Sequence, residues 1–161
     1  VNGLAEKPIV IGVIADTHGL LRPEALEALA GVDHILHAGD VGAATILDRL
    51  RRIAPVTAIR GNVDTSGVCG SLPPTDLVEI GGRLFYLVHA FADLDITPQA
   101  AGVSAVVYGH SHRAQIREQA GVLYLNPGSA GPRRFNLPIT LARIELARDS
   151  MQAQIVPLDK P

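Results

Sequence analysis

The chain has 161 residues, 47% of them hydrophobic and 19% charged, which suits one globular domain with a substantial core and excludes a disordered chain. A net charge of -2 and 4% aromatic residues leave no footprint for general nucleic-acid binding and few platforms for stacking bases. Cys69 is the only cysteine, so an intramolecular disulfide is excluded and a reducing compartment is favoured.

The first residues, Val1 to Lys7, show no leader pattern, and the longest apolar runs fall short of the ~20 residues a membrane helix needs. The expectation is a soluble, cytoplasmic protein with no membrane partner.

Residues 8–15 (PIVIGVIA) form a continuous apolar run rich in β-branched side chains, which reads as a strand buried on both faces. It stops at Asp16-Thr17-His18. Arg22-Pro23-Glu24 opens a helix that suits Pro23 in its first turn and ends at Gly31. Residues 33–37 make a second strand running into Gly39-Asp40. A second helix is expected over about residues 43–52, with Ile46, Leu47 and Leu50 inward. Residues 55–59 make a third strand, ending at Arg60-Gly61-Asn62.

The second half is β-rich. Residues 76–80 and 83–88 form a hairpin around Gly81-Gly82, and the second strand runs into His89. A short helix is expected near 98–101, then a strand over 104–108 that ends at Gly109-His110-Ser111-His112. Strands at about 114–118 and 122–125 flank Ala120-Gly121, the second leading to Asn126-Pro127-Gly128-Ser129. Residues 139–146 and 151–156 make a last hairpin. An α/β half followed by a β-rich half predicts two packed sheets with helices outside, within one domain over 1–161.

Most of these fragments sit where an apolar run stops and a turn begins. Singly, several are ordinary: Asp16 can cap a turn, Gly39-Asp40 and Gly61-Asn62 are common turn pairs, and His89 reads as a semi-buried histidine. Two imidazoles one residue apart in Gly109-His110-Ser111-His112 are costly to place for packing alone. Together, side chains at the ends of strands can share one edge. There an aspartate can bridge two cations roughly 3.5–4 Å apart, the geometry of two-metal hydrolysis.

The order Asp-x-His, Gly-Asp, Gly-Asn, His, Gly-His-x-His resembles the calcineurin-like metallophosphoesterase superfamily. It looks most like the small single-domain branch of bacterial and archaeal phosphodiesterases, which is related to a retromer subunit. The resemblance runs from Ile9 to Ser129. It implies a four-layer αββα sandwich of two mixed β-sheets flanked by helices, with metals at the strand ends. By motif position, Asp16, His18, Asp40 and His112 would hold one metal. Asp40 would bridge, and Asn62, His89 and His110 would complete the other. Mixed oxygen and nitrogen donors suit two divalent cations, with Mn²⁺ foremost and Ni²⁺, Fe²⁺ or Zn²⁺ as alternatives, whereas Mg²⁺ tolerates this many imidazoles poorly. The implied activity is hydrolysis of small or activated phosphodiesters by a metal-activated water, with Asp40 and Asn62 as the catalytic pair. The alternative is a non-catalytic protein-interaction scaffold on the same fold.

Two positions depart from the larger phosphatases of the superfamily. Val63 stands where those have a histidine that assists the leaving group, and His89-Ala90-Phe91 replaces a His-Gly-His triplet. Neither Val63 nor Phe91 can donate a proton, so a substrate whose leaving group needs little protonation is expected.

Substrate contacts are expected at Asn62, at the backbone of Gly128 and Ser129 acting as an anion nest, and at Arg133 and Arg134 as a phosphate clamp. The competing readings are a plain turn at 126–129 and an exposed loop pair at 133–134. His37 reads as a core or surface histidine that could also support the metal site, His34 reads as surface, and Cys69 and Asp64 offer nothing decisive. The expected partner is a small phosphate-ester substrate, and homo-oligomerisation is left open.

Overall fold

The computed structural model describes residues 7–159, and the leader reading at residues 1–6 lies outside them. Five strands make the first sheet: β1 (Ile9–Ile14), β2 (His34–His37), β3 (Val56–Ala58), β9 (Thr140–Ala147) and β10 (Ser150–Pro157), in the order β10-β9-β1-β2-β3. The other five make the second: β4 (Thr75–Ile80), β5 (Arg83–Val88), β6 (Val103–Val107), β7 (Gln115–Gln119) and β8 (Val122–Asn126), in the order β4-β5-β6-β8-β7.

Both sheets are mixed, as expected. β1, β2 and β3 run parallel, as do β5, β6 and β8, while β4, β7, β9 and β10 join antiparallel. This arrangement explains why a candidate fragment follows so many strands. Each of the six parallel strands ends just before one of them, and parallel neighbours deliver their carboxyl ends to a common edge.

The alternation of β1 sets the layers. Ile11 and Val13, with Ala15 just beyond the strand, face the second sheet and pack with Leu36, Phe85, Leu87, Val107 and Leu125. Ile14 faces the other way, into a cluster with Leu29, Ile35, Leu47 and Leu50 beneath α1 (Pro23–Ala28) and α2 (Ala44–Arg51). The outer face of the second sheet carries Tyr86, Val88, Val106, Tyr108 and Tyr124, packed with Leu94 and Ile96.

That fourth layer is thin. It holds a 3₁₀ turn at Phe91–Asp93, and the helix expected near 98–101 is a turn. Ala101 N–H donates to the Thr97 carbonyl and Val103 N–H to the Pro98 carbonyl, and Gly102, at φ 72°, ends the turn before a helix can propagate. A short α3 (Gly67–Gly70) was not foreseen, because a segment with two glycines carries little helical signal. Among the described residues no helix is long and apolar enough to cross a membrane.

Candidate metal centre

The backbone turns sharply where the fragments leave their strands. Asp16 (φ 55°), His18 (46°), Asp40 (55°), His110 (72°) and His112 (62°) all adopt the left-handed region. Non-glycine residues enter that region at a cost, so its concentration on these five shows strain stored at a functional edge.

The side chains converge into two groups: Asp16 with His18 and His112, and Asp40 with His89 and His110. Within each group the donor atoms lie within 4.8 Å of one another. The groups adjoin. Asp40 Oδ2 lies 3.5 Å from His18 Nε2 and 3.2 Å from His89 Nε2, so one carboxylate oxygen reaches both. Asp16 Oδ1 lies 3.8 Å from His18 Nε2, 3.7 Å from His112 Nε2 and 3.9 Å from His89 Nε2.

These atoms are poorly satisfied by the protein. Asp16 Oδ1, His18 Nε2, His89 Nε2 and His112 Nδ1 are buried with no hydrogen-bond partner. His89 Nδ1 lies 2.8 Å from the Ala38 carbonyl, to which it must donate, so the lone pair of neutral His89 sits on Nε2 and faces carboxylate oxygens. Electron-rich atoms held this close could hold a cation among them.

In the metal-free protein, protons relieve part of this crowding. Burial pushes the Asp16 carboxyl up to about 7, although His89 pulls the other way. Burial would also raise Asp40, but the adjacent His89 imidazole and the Val63 N–H outweigh it and bring Asp40 down to about 2. His89 is raised: burial opposes its protonation, and Asp40 overrides that. Burial lowers His18, and burial reinforced by the Arg134 charge lowers His112 to about 4.

Close backbone approach builds this geometry. A Cβ on Gly61 would lie 2.2 Å from Asp40 Oδ1 and 2.4 Å from Asp40 N, so only glycine lets this turn touch Asp40. Val63 N–H then donates to Asp40 Oδ1 at 3.0 Å, leaving Asn62 exposed at the rim between these two contacts. A Cβ on Gly109 would lie 2.9 Å from Asp16 Oδ2, the oxygen that accepts from His110 N–H at 3.1 Å.

The substrate-binding expectations separate. Gly128 and Ser129 are buried, and Gly128 N–H donates to Asn126 Oδ1 at 2.9 Å, so its N–H is already used and cannot face an anion. Ser129 instead donates its hydroxyl to the Asp16 carbonyl at 3.0 Å and fixes the backbone of that residue. The Gly128 N–H therefore belongs to the turn at 126–129 rather than to an anion nest. Arg133 is also diverted: its guanidinium pairs with Asp159 at 2.7 Å and donates to the Leu137 carbonyl at 3.0 Å. The Arg134 charge, by contrast, bears on Asp16, His18 and His112.

Three residues carry more than their sequence context announced. Asp64 is buried and accepts from Gly61 N–H (2.9 Å), Val41 N–H (3.1 Å) and Gly42 N–H (3.0 Å), locking the Asp40 and Asn62 loops together. Asn126 donates to the Gly109 carbonyl and to Ser111 Oγ, both at 3.1 Å, holding the His110 and His112 loop. His37 is fully buried; Nδ1 accepts from Gly39 N–H at 3.1 Å, so Nε2 donates to Thr17 Oγ1 at 3.0 Å, and that hydroxyl donates to the Val41 carbonyl at 2.8 Å. It is a core histidine that also braces both aspartate loops. In the sequence, His37 already reads as a possible support for the metal site and Asn126 opens a candidate fragment, whereas Asp64 offers nothing decisive.

Residues 9–149 match the calcineurin-like phosphoesterase superfamily domain, and the chain belongs to that family. It is 30% identical to a probable metallophosphoesterase of Methanocaldococcus jannaschii over 94% of this chain and 83% of the relative. A structure described as a novel archaeal phosphodiesterase superposes with a TM-score of 0.76 at 22% identity, covering 92% of this chain and 100% of that one. Vacuolar protein sorting 29 from Cryptosporidium parvum superposes equally well, with a TM-score of 0.76 at 20% identity over 95% of this chain and 99% of that one.

Proposed function

We propose that the protein is a dinuclear metal-dependent phosphodiesterase acting on small or activated phosphodiesters. One observation carries the reading: Asp40 Oδ2 lies within 3.5 Å of His18 Nε2 and 3.2 Å of His89 Nε2, which places a single carboxylate between two donor groups. The buried, unpartnered Asp16, His18, His89 and His112 atoms fit a pair of divalent cations. In this reading Asp16, His18, Asp40 and His112 would hold one cation, and Asp40, Asn62, His89 and His110 would hold the other. The mix of carboxylate, amide and imidazole donors favours Mn²⁺, with Ni²⁺, Fe²⁺ or Zn²⁺ as alternatives.

When bound, two such cations lower the pKa of a water and neutralise charge on the phosphoryl oxygens. The rest falls to the chain. Before any cation binds, Asp40 is already ionised, since the adjacent His89 imidazole and the Val63 N–H bring it down to about 2 despite burial, and a bound cation would take over the role of the His89 proton. Ala38 fixes the His89 tautomer through Nδ1, leaving Nε2 as the donor atom. Asn62, exposed at the rim beside Asp40, orients the phosphate, and Arg134 adds positive charge on the Asp16 side. No side chain at positions 63 or 91 offers a proton, which favours substrates that part easily. The buried free thiol of Cys69 accords with a reducing, cytoplasmic setting.

The test is hydrolysis of bis(p-nitrophenyl) phosphate and of p-nitrophenyl phosphate, each with Mn²⁺ and with chelator. Metal-dependent turnover that prefers the diester supports the reading. No turnover of either ester by metal-replete protein would favour the scaffold role.

A further inference from the structure

Building on the phosphodiesterase reading, we propose that the cleft between the start of α2 and residues 63–69 seats one organic group of the diester, uncharged and about the size of a single aromatic ring. The cleft has a volume of about 210 Å³, with Gly42, Ala43 and Ala44 on one side and residues 63–69 on the other.

Its walls are continuous with the donor groups. Val63, on one wall, donates its N–H to Asp40 Oδ1 at 3.0 Å, and Gly42, on the other, lies two residues beyond Asp40. That second wall is tied to the Asp16 loop, because His18 N–H donates to the Asp40 carbonyl and Gly19 N–H to the Val41 carbonyl, both at 2.9 Å. A phosphoryl group beside Asp40 and Asn62 therefore has this hollow next to it.

The lining decides what enters. Val63 and Val68 are 47% and 56% exposed and the alanines opposite them are small, while Thr65 and Ser66 add hydroxyl groups, so the lining mixes apolar and uncharged polar surface. Among the described residues no Lys, Arg or His lines the cleft. Its one carboxylate, Asp64, spends its oxygens on the N–H groups of Val41, Gly42 and Gly61. A second phosphate would find no counter-charge here, whereas an uncharged group would cover the two valines.

Size narrows the class further. An apolar cavity of about 150 Å³ holds benzene, and pockets for drug-sized ligands begin near roughly 300 Å³. A cleft of about 210 Å³ is filled by one ring or a short branched chain.

The test measures calorimetric affinity of Mn²⁺-loaded protein for phenylphosphonate and methylphosphonate. Wild type should bind the phenyl compound roughly tenfold more tightly, from the apolar area the ring buries. Ala44→Phe fills the cleft from the partly exposed first turn of α2, and Val68→Asp polarises it from an exposed position. Each should bring the ratio close to one. Methylphosphonate binding with no phenyl preference in wild type, or a preference unchanged in both variants, overturns the cleft assignment alone. Failure to bind either phosphonate overturns the phosphodiesterase reading together with it.

Discussion

The backbone N–H of Val63 donates to Asp40 Oδ1 at 3.0 Å, joining the turn after β3 to the loop after β2. On the Val63 side the contact uses only the main chain, so the side chain at 63 is free to vary while the Asp40 carboxylate stays held. Here that side chain is an exposed valine with no proton to give. Phe91 is equally uninvolved: its ring packs 5.2 Å from Tyr108 and 5.9 Å from Tyr124, with the Arg117 guanidinium 5.1 Å above it.

Leaving-group chemistry should therefore control the rate. Across a series of aryl phosphodiesters, kcat/KM is expected to fall steeply as the pKa of the departing phenol rises. Val63→His supplies an acid beside Asp40 and should raise turnover of the poorest leaving groups by roughly tenfold or more. A flat dependence in wild type contradicts this account.

Gly61→Ala tests the close approach of the turn to Asp40. The added Cβ meets Asp40 Oδ1 at 2.2 Å and its backbone nitrogen at 2.4 Å, so the carboxylate must move. Because a misplacement of about 1 Å at a site can cost on the order of 10²-fold, kcat should drop by that order while the fold survives. Circular dichroism alongside the kinetics separates the two effects.

The two arginines should behave differently. Arg134→Ala is expected to raise KM for an anionic diester several-fold, since its charge bears on Asp16, His18 and His112. Arg133→Ala removes a partly exposed pair with Asp159, costing about 0–1 kcal/mol of stability, and should leave KM unchanged.

His37 gives a pH signature in chelated protein. Burial lowers its pKa to about 4 in the folded state, against 6.5 for an unperturbed histidine. As pH falls below 6.5 the unfolded chain gains this proton first, so the stability His37 contributes is complete above 6.5 and is lost by about 4. The difference is on the order of 3 kcal/mol. Chemical denaturation of wild type and His37→Gln should show the deficit of the variant narrowing across that window.

The architecture was legible, and so were the six Asp and His side chains that the fold gathers, for related reasons. A β-branched apolar run that stops at Asp16, and others that stop at His89 and Gly109, announce strands through local pattern, and the ordered fragments carry the family resemblance with them. What holds the donors was not legible. Asp64 reaches Val41 across 23 residues and Asn126 reaches Gly109 across 17, and such contacts exist only once both sheets have formed. The Gly128 N–H and the Ser129 hydroxyl are spent inside the fold for the same reason, on partners the local sequence does not announce. Arg133 and Arg134 are adjacent and chemically alike; only the position of Asp159 tells them apart.

The most direct test compares wild type with Asp40→Asn for bound metal, by elemental analysis, and for turnover of bis(p-nitrophenyl) phosphate with Mn²⁺. With Asp40 shared by both donor groups, wild type should retain about two divalent ions per chain. The variant should lose turnover and hold fewer ions. An Asp40→Asn protein that keeps both its metal and its turnover contradicts the account.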